Sequence, residues 1–536
     1  MSKGRMQRAA WLALGAALVV SSAALAEDEP KHGDILKFVV PDEPPSFDGH
    51  KETTFALIHP IAPFYSVLIR VDPNNPASLT DFVCDLCVEM PKPEDGGKSW
   101  TFKIRQDVKF HDGTPLTAKD VLASYQRIIF PPPGISSGRK SQYAMVESVT
   151  SPDDETVVFK LKYPSGAFIP AVASPYNFIY SKARLDKDQK WYENNVMGSG
   201  PFIFEAREAG ARVTGKRNPN YYRKGLPYLD GFEAIFAKKQ SLRVQAIRGD
   251  QAAIEFRGFP PKSRDDLVKA LGKDITVQES DWNCGLTLTP NHEKKPFDDP
   301  RVRRALTLAL DRWGGSKDLS KIAIMKSVGG IVFPGHPLGM DKAELEKVAG
   351  YWPDIEKSRA EARRLLKEAG VTNLKFTMLN RNVDQPYTIA GTWMIDQFKK
   401  IGIEASQRSE PGGQWFAGLR NGDFEVGITA NCQSIVNPLL DVSTYLSSKR
   451  SSQQYGRFED PELDKIYDKM SATADVAEQK TLMTQFQKRV LDEQAHNFQV
   501  MWWYRIVPYR SYVKGWKISP SHYLNQDLSG VWIDKG

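Results

Sequence analysis

The sequence predicts an α/β protein of more than one domain, and three observations carry that prediction. Its 536 residues exceed what one ordinary hydrophobic core encloses. With 41% apolar and 26% charged residues, the chain has the composition of a soluble globular protein. A strand over 374–379, a helix over 388–400 stopped at Gly402, and a strand from Ile403 form a βαβ pattern, which implies a partly parallel sheet.

At the N-terminus, Lys3, Arg5 and Arg8 precede an apolar run from Ala9 to Val20, followed by Ala24-Leu25-Ala26. This is the pattern of a secretory leader, with cleavage expected after Ala26. The run is too short for a permanent anchor, and no other stretch reaches about 18 apolar residues. No cysteine lies near the cleavage site to carry a lipid, so a soluble exported protein is expected. The formal charge of +7 loses the three contributed by Lys3, Arg5 and Arg8. What remains is weak for a chain of this size, and the clusters at 301–304 and 363–367 read as helix faces, not as a nucleic-acid surface.

Export into an oxidising compartment favours disulfides among the four cysteines. Cys84 and Cys87 form a CxxC that reads as a small loop disulfide. The alternatives are a redox pair or half of a zinc site, for which no second CxxC or histidine pair is present. By parity, Cys284 and Cys432 remain to pair.

Along the chain, a strand is expected over 35–40, then a partly helical apolar segment over 55–70 interrupted by Pro60 and Pro63. Trp100, Phe102 and Ile104 alternate with polar residues as in a half-buried strand, which Val108 and Phe110 resume. Asp112-Gly113 supplies a turn, and Thr117 with Asp120 makes a capping-box start to a helix ended by the prolines at 131–133. Strands follow over 153–163 and 232–236, with a short helix over 242–249. Gly198-Ser199-Gly200 invites comparison with a phosphate loop, but lacks the third glycine, the following helix and the Lys-Ser/Thr pair, and reads as a tight turn. Pro300 begins a helix over 301–312 with a buried stripe at Val302, Ala305, Leu306 and Ala309. Helices over 358–370, 460–470 and 477–491 and strands over 424–429 and 500–504 complete the pass.

Several of these segments, in this order, resemble the extracellular solute-binding proteins of the peptide/nickel class (family 5) that serve ATP-binding-cassette (ABC) importers. The resemblance rests on WTFKIRQDVKFHDGTPLTAKDV from Trp100, GSGPF from Gly198, NPNYYRKGLPYLDGF from Asn218 and PFDDPRVRRALTLALDR from Pro296. FKKIGIE from Phe398 and DPELDKIYDK from Asp460 complete it. It implies a two-lobed periplasmic-binding-protein clamshell (type II, cluster C-like) with an extra subdomain in the first lobe. The implied division is leader 1–26; first-lobe core 27–60, 195–281 and 505–536; small subdomain 61–194; second lobe 282–504. The chain would cross between lobes near 281–284 and 500–505.

Within that family the chain is similar to oligopeptide-binding members, in which cysteines at the positions of Cys284 and Cys432 are disulfide-bonded. Those members carry an Asp two residues after the second cysteine, whose carboxylate pairs with the ligand's α-ammonium; here that position is Ser434. A hydroxyl cannot neutralise a cation in a water-poor cleft. The usual Trp before the cysteine is Asn431. Trp415 keeps the place of a cleft Trp, and Tyr143 sits near a Tyr that touches ligand. Thr53, Thr54 and Phe55 would line the first-lobe side. Trp502, Trp503 and Tyr504 fall at the second crossover, where the competing reading is hinge packing. The expected ligand set is therefore Thr53, Thr54, Tyr143, Trp415, Asn431, Ser434 and Trp503. Arg381 and Arg420 could pair a ligand carboxylate, but each reads as an exposed charge.

No catalytic or metal site is expected. His111-Asp112 lacks further ligands, His292, His336 and His496 show no HxxxH-type spacing, and no nucleophile elbow is present. The expected protein is a monomer without cofactors. It would take a peptide or another small molecule in the periplasm and hand it to an inner-membrane ABC permease.

Overall fold

The structure, a computed structural model, describes residues 29–536 other than Leu79, Gln433, Val436 and Ala474; the expected leader over 1–26 lies outside the described residues. Among the described residues the strands form two main sheets, each with its own core. Ile35–Val40 pairs in parallel with Gly231–Phe236, which continues antiparallel through Arg212–Arg217 to Phe202–Glu208. Its apolar core holds Leu36, Phe38, Phe64, Phe232 and Ile254, together with Val507 and Trp516 from the end of the chain. The GSG turn fits because the chain passes against the backbone at Phe64. A Cβ at Gly198 would lie 2.1 Å from Phe64 O, and one at Gly200 2.5 Å from Phe64 C.

The larger, six-stranded sheet has Ile275–Pro290 and Val426–Cys432 at its centre, with Phe498–Arg510 on the other side of Ile275–Pro290. Lys375–Arg381 and Glu404–Glu410 run parallel in it, joined by the helix Ile389–Lys399, so the βαβ unit is present. Leu286, Leu306, Phe376, Met394, Val426 and Phe498 are buried in its core.

A smaller four-stranded sheet, with Ser99–Lys103 beside Thr156–Leu161, packs on the helix Ala118–Ile129. That helix starts on the expected capping box. Asp120 accepts from the Thr117 backbone at 2.9 Å, and the Thr117 hydroxyl accepts from Lys119 N at 3.3 Å. Val108 and Phe110 do not resume the strand: they are buried in a turn region with one isolated bridge, Lys109 to Pro115, and fill the core beneath the helix. The helix expected over 301–312 also breaks. Pro300–Ala309 ends at Leu310, and Arg312–Ile322 begins anew after Asp311, whose carboxylate accepts from Gly314 N.

The two main cores are tied by the longest strands. Ile275–Pro290 pairs with Phe498–Arg510 from Ile275 opposite Arg510 to Asp281 opposite Tyr504, loses register, and resumes at Gly285 opposite Trp502. Trp282 and Asn283 occupy the break, fully buried. Beyond it the strand also pairs with Val426–Cys432, placing Cys284 directly opposite Cys432, and the two are disulfide-bonded. Cys84 and Cys87 form a second disulfide.

Candidate functional site

The two lobes are closed on each other, and the polar groups that meet across the cleft define its rim. The Ser452 hydroxyl donates to Ser137 O at 2.7 Å and Gln453 Nε2 donates to Gly138 O. The Ser141 and Ser443 hydroxyls lie 3.3 Å apart, and those of Ser174 and Ser434 3.1 Å. Each neutral contact of this kind is worth about 1 kcal/mol net, so closure held by them is reversible.

Inside the rim lies a cavity with walls from both lobes. The first lobe supplies Thr53, Thr54, Phe55 and Tyr523; the second supplies Arg381, Tyr387, Trp415, Phe416 and Trp503. A neighbouring chamber shares Thr429, Ala430, Gln453 and Tyr455 with it, so the two form one elongated cleft. This second chamber is lined by hydroxyls and amides, including Thr287, Thr289, Thr444, Asn431 and Asn497. Thr287 stands opposite Thr429 in the sheet, their hydroxyls 2.6 Å apart, and Thr289 Oγ1 is 2.9 Å from Thr429 Oγ1.

Of the expected ligand set, Thr53, Thr54, Trp415 and Trp503 line the first chamber and Asn431 lines the second. Ser434 lines neither and faces Ser174 across the lobes. Tyr143 is displaced from the cleft: it is buried in the small subdomain, where its hydroxyl donates to Ala171 O at 2.8 Å and accepts from Asn177 Nδ2. Trp502 and Tyr504 are held elsewhere, Trp502 Nε1 donating to Gly330 O and the Tyr504 hydroxyl to Ser320 O. Alternation along the strand explains why only Trp503 of the three reaches the cavity.

Arg381 and Arg420 are not exposed charges. Arg381 is 2% exposed and its Nη2 donates to Asp42 Oδ2 at 2.8 Å, with Nη1 on the Thr54 hydroxyl at 3.2 Å. Burial alone would pull the guanidinium down, but the Asp42 charge outweighs it and raises the pKa. Arg420 Nη1 lies 3.8 Å from the buried Glu52. Arg257, which the sequence did not single out, is fully buried beside the cavity wall. Its guanidinium carbon lies 4.7 Å from the Phe55 ring centre and 5.2 Å from that of Trp503. Its Nη1 donates across the lobes to Gln385 O, while Nε and Nη2 have no partner among the described residues. Burial lowers its pKa to about 10.

Sequence reasoning also missed Tyr387, Gln453, Tyr455 and Tyr523, whose segments carry no local signal. The Leu-Thr-Leu-Thr alternation over 286–289 places Thr287 and Thr289 on one face, but four residues are too few to read as a strand on their own. His522 Nε2 lies 3.8 Å from Cys284 Sγ, but both sulfurs of that cluster are bonded to each other and offer no thiolate to a metal.

A cavity enclosed between two lobes that are joined by a pair of long strands is the arrangement of a binding protein. Residues 81–453 match bacterial extracellular solute-binding proteins, family 5 Middle, and the chain belongs to that family. Among relatives, the periplasmic oligopeptide-binding protein OppA of Escherichia coli K12 is 24% identical over 448 residues, covering 79% of this chain and 78% of that protein. Di/tripeptide-binding protein 2 of Pseudomonas aeruginosa UCBPP-PA14 is 29% identical over 383 residues, 66% of each. Among solved structures, AgaA of A. tumefaciens R10 in complex with agropinic acid superposes with a TM-score of 0.82 at 24% identity, over 94% of this chain and 99% of that one. AppA of Bacillus subtilis with a nonapeptide gives 0.81 at 21% identity, over 95% and 100%. These likenesses establish the two-lobed fold.

Proposed function

We propose that this chain is the substrate-binding component of an ABC importer, acting in the periplasm after removal of residues 1–26. It captures a small organic solute between its lobes and presents the closed, loaded form to the membrane permease. The observation that carries this reading is the shared wall. Thr53, Thr54, Phe55 and Tyr523 face Arg381, Trp415 and Trp503 across one cavity, so a ligand touching both sets binds the closed form better and shifts that population. The work is binding, not turnover, and the protein acts as a monomer. For closure we take 282–504 as the moving lobe against 27–60, 195–281 and 505–536, with 61–194 as a subdomain of the latter. Relatives named for peptides, and a neighbour solved with agropinic acid, show that proteins of this fold take both peptide and non-peptide solutes.

The test is a thermal-shift screen of the purified protein against peptides, sugars, amino acid derivatives and aromatic acids, with small-angle scattering to follow closure. A ligand at a hundred times its Kd adds about 2.7 kcal/mol. Binders that raise the melting temperature and reduce the radius of gyration support the reading; turnover of a bound compound overturns it.

A further inference from the structure

The two ends of the cleft differ in hydrogen-bonding character, and neither end offers a negative charge. No Asp or Glu side chain lines either chamber among the described residues. The carboxyls nearby are committed or suppressed. Asp42 is held by Arg381, and burial raises the pKa of Glu52 and pushes that of Asp441 well above the carboxylate range. A free α-ammonium entering this cleft would therefore lose its hydration and meet no counter-ion, at a cost of several kcal/mol.

The aromatic end, by contrast, holds buried donors that lack acceptors among the described residues. Trp415 Nε1 and Trp503 Nε1 are buried without partners among the described residues, and both side chains line the cavity. An indole N–H can only donate. Arg257, with two unpartnered nitrogens, lies behind the Phe55 and Trp503 rings, and Glu255, the acid near it, is already paired with Arg243. This end thus carries a buried positive charge in excess of its acids and donors lacking acceptors. At the other end Asn497 Oδ1 is a buried acceptor without a partner among the described residues, set among the hydroxyls of Thr287, Thr289 and Thr429.

We propose that the solute is a small organic anion with no free ammonium group. Its carboxylate, or an equivalent anion, lies at the Trp415–Trp503–Arg381 end under the field of Arg257. Hydroxyl or amide groups lie at the Asn497–threonine end. This rests on the reading of the chain as a solute-binding protein and gives its ligand a chemical class. The two indole N–H groups of the wall find an acceptor in the ligand's carboxylate, while the lack of an acidic side chain among the described lining residues disfavours the zwitterionic counterpart.

The experiment pairs acids with related neutral or zwitterionic compounds: D-gluconate and D-glucuronate against D-glucose, and N-acetyl-alanyl-alanine against alanyl-alanine, by calorimetry and thermal shift at neutral pH. In parallel, the protein purified from its own periplasm is denatured and the released small molecules are read by mass spectrometry. The expected result is binding by at least one acid, none by its neutral or zwitterionic partner, and a released compound that is anionic at pH 7. Trp415→Phe keeps the ring and removes the unpartnered N–H. It should weaken the bound acid at least tenfold with the unliganded protein still folded and only modestly lower in melting temperature, and Arg257→Lys should retain part of the affinity that Arg257→Met loses. A neutral solute or one with a free ammonium, bound or released, while no acid binds, overturns the anion assignment and leaves solute capture standing. If no compound binds and none is released, solute capture falls as well.

Discussion

Arg381, at the end of a second-lobe strand, and Asp42, just after the first strand of the first lobe, form a buried ion pair at 2.8 Å that exists only when the lobes meet. Removing one member of such a pair leaves the other charge buried and costs about 3–5 kcal/mol. Asp42→Asn should therefore shift the protein toward the open form and weaken any ligand by at least tenfold. Gly412→Ala should do the same from the opposite wall, because a Cβ there would stand 2.2 Å from Asp42 Oδ2. Calorimetry for affinity and scattering for shape check both variants. An unchanged affinity in either would show that the pair has no part in closure.

Ser434 stands where the resemblance to oligopeptide-binding proteins leads to the expectation of an acid. Its hydroxyl meets Ser174 across the lobes, a contact a carboxylate can also accept. The wild type should show no thermal stabilisation by alanyl-alanine, and Ser434→Asp should gain it. The substitution should also lower the stability of the unliganded protein by about 1–3 kcal/mol for the unpaired charge. Equal stabilisation of both proteins by the dipeptide would mean that another group supplies the counter-charge.

The two disulfides differ in the loop they close. Cys284–Cys432 spans a sequence separation of 148, and in the chain-entropy model such a link is worth about 5 kcal/mol. Cys84–Cys87, with a separation of 3, is worth about 2 kcal/mol. Replacing Cys284 and Cys432 with serine should thus lower the urea midpoint markedly more than replacing Cys84 and Cys87, measured under identical conditions.

Acid should destabilise the protein well before its carboxylates titrate. His50 and His59 are fully buried, and desolvation, helped by Arg127 for the first and Arg505 for the second, holds each at about 3. In the unfolded chain they titrate near 6.5. Stability present above pH 6.5 is therefore lost as pH falls from there toward 3, where the unfolded chain takes protons that the folded one refuses. Integrated from the half-protonated point at pH 6.5, the two histidines alone remove about 3 kcal/mol between pH 6.5 and 5. Urea titrations at those two pH values check it; equal stabilities would show that neither ring is held neutral.

Local elements were legible because local chemistry decides them. Alternation at Trp100 and Phe102 gave Ser99–Lys103, the Thr117–Asp120 capping box gave the helix at Ala118, and strand–helix–strand order gave the parallel pair at Lys375–Arg381 and Glu404–Glu410. The long strand Ile275–Pro290 was not legible as a strand, since its first part is half-exposed and its second is buried on both faces, which erases any single period. The site was legible only in pieces. Thr53, Thr54, Trp415, Asn431 and Trp503 could be placed by resemblance. Arg257, Gln453 and Tyr523 converge from distant segments and look locally like surface polar or core aromatic residues. Arg381 was misread for the same reason: its partner lies more than three hundred residues away.

The register break at Trp282 and Asn283 has a mechanical consequence. On one side of it the two strands form a plain ribbon; on the other the Cys284–Cys432 bond clamps the ribbon to a third strand and stiffens it. Bending is thereby confined to the short unclamped stretch. Trp503 packs edge-on against Trp282 at that pivot, with 5.1 Å between ring centres, and is at the same time part of the cavity wall. Rotation of the lobes therefore moves the wall itself, so unloading the solute and turning the pivot are a single stroke that needs no separate gate.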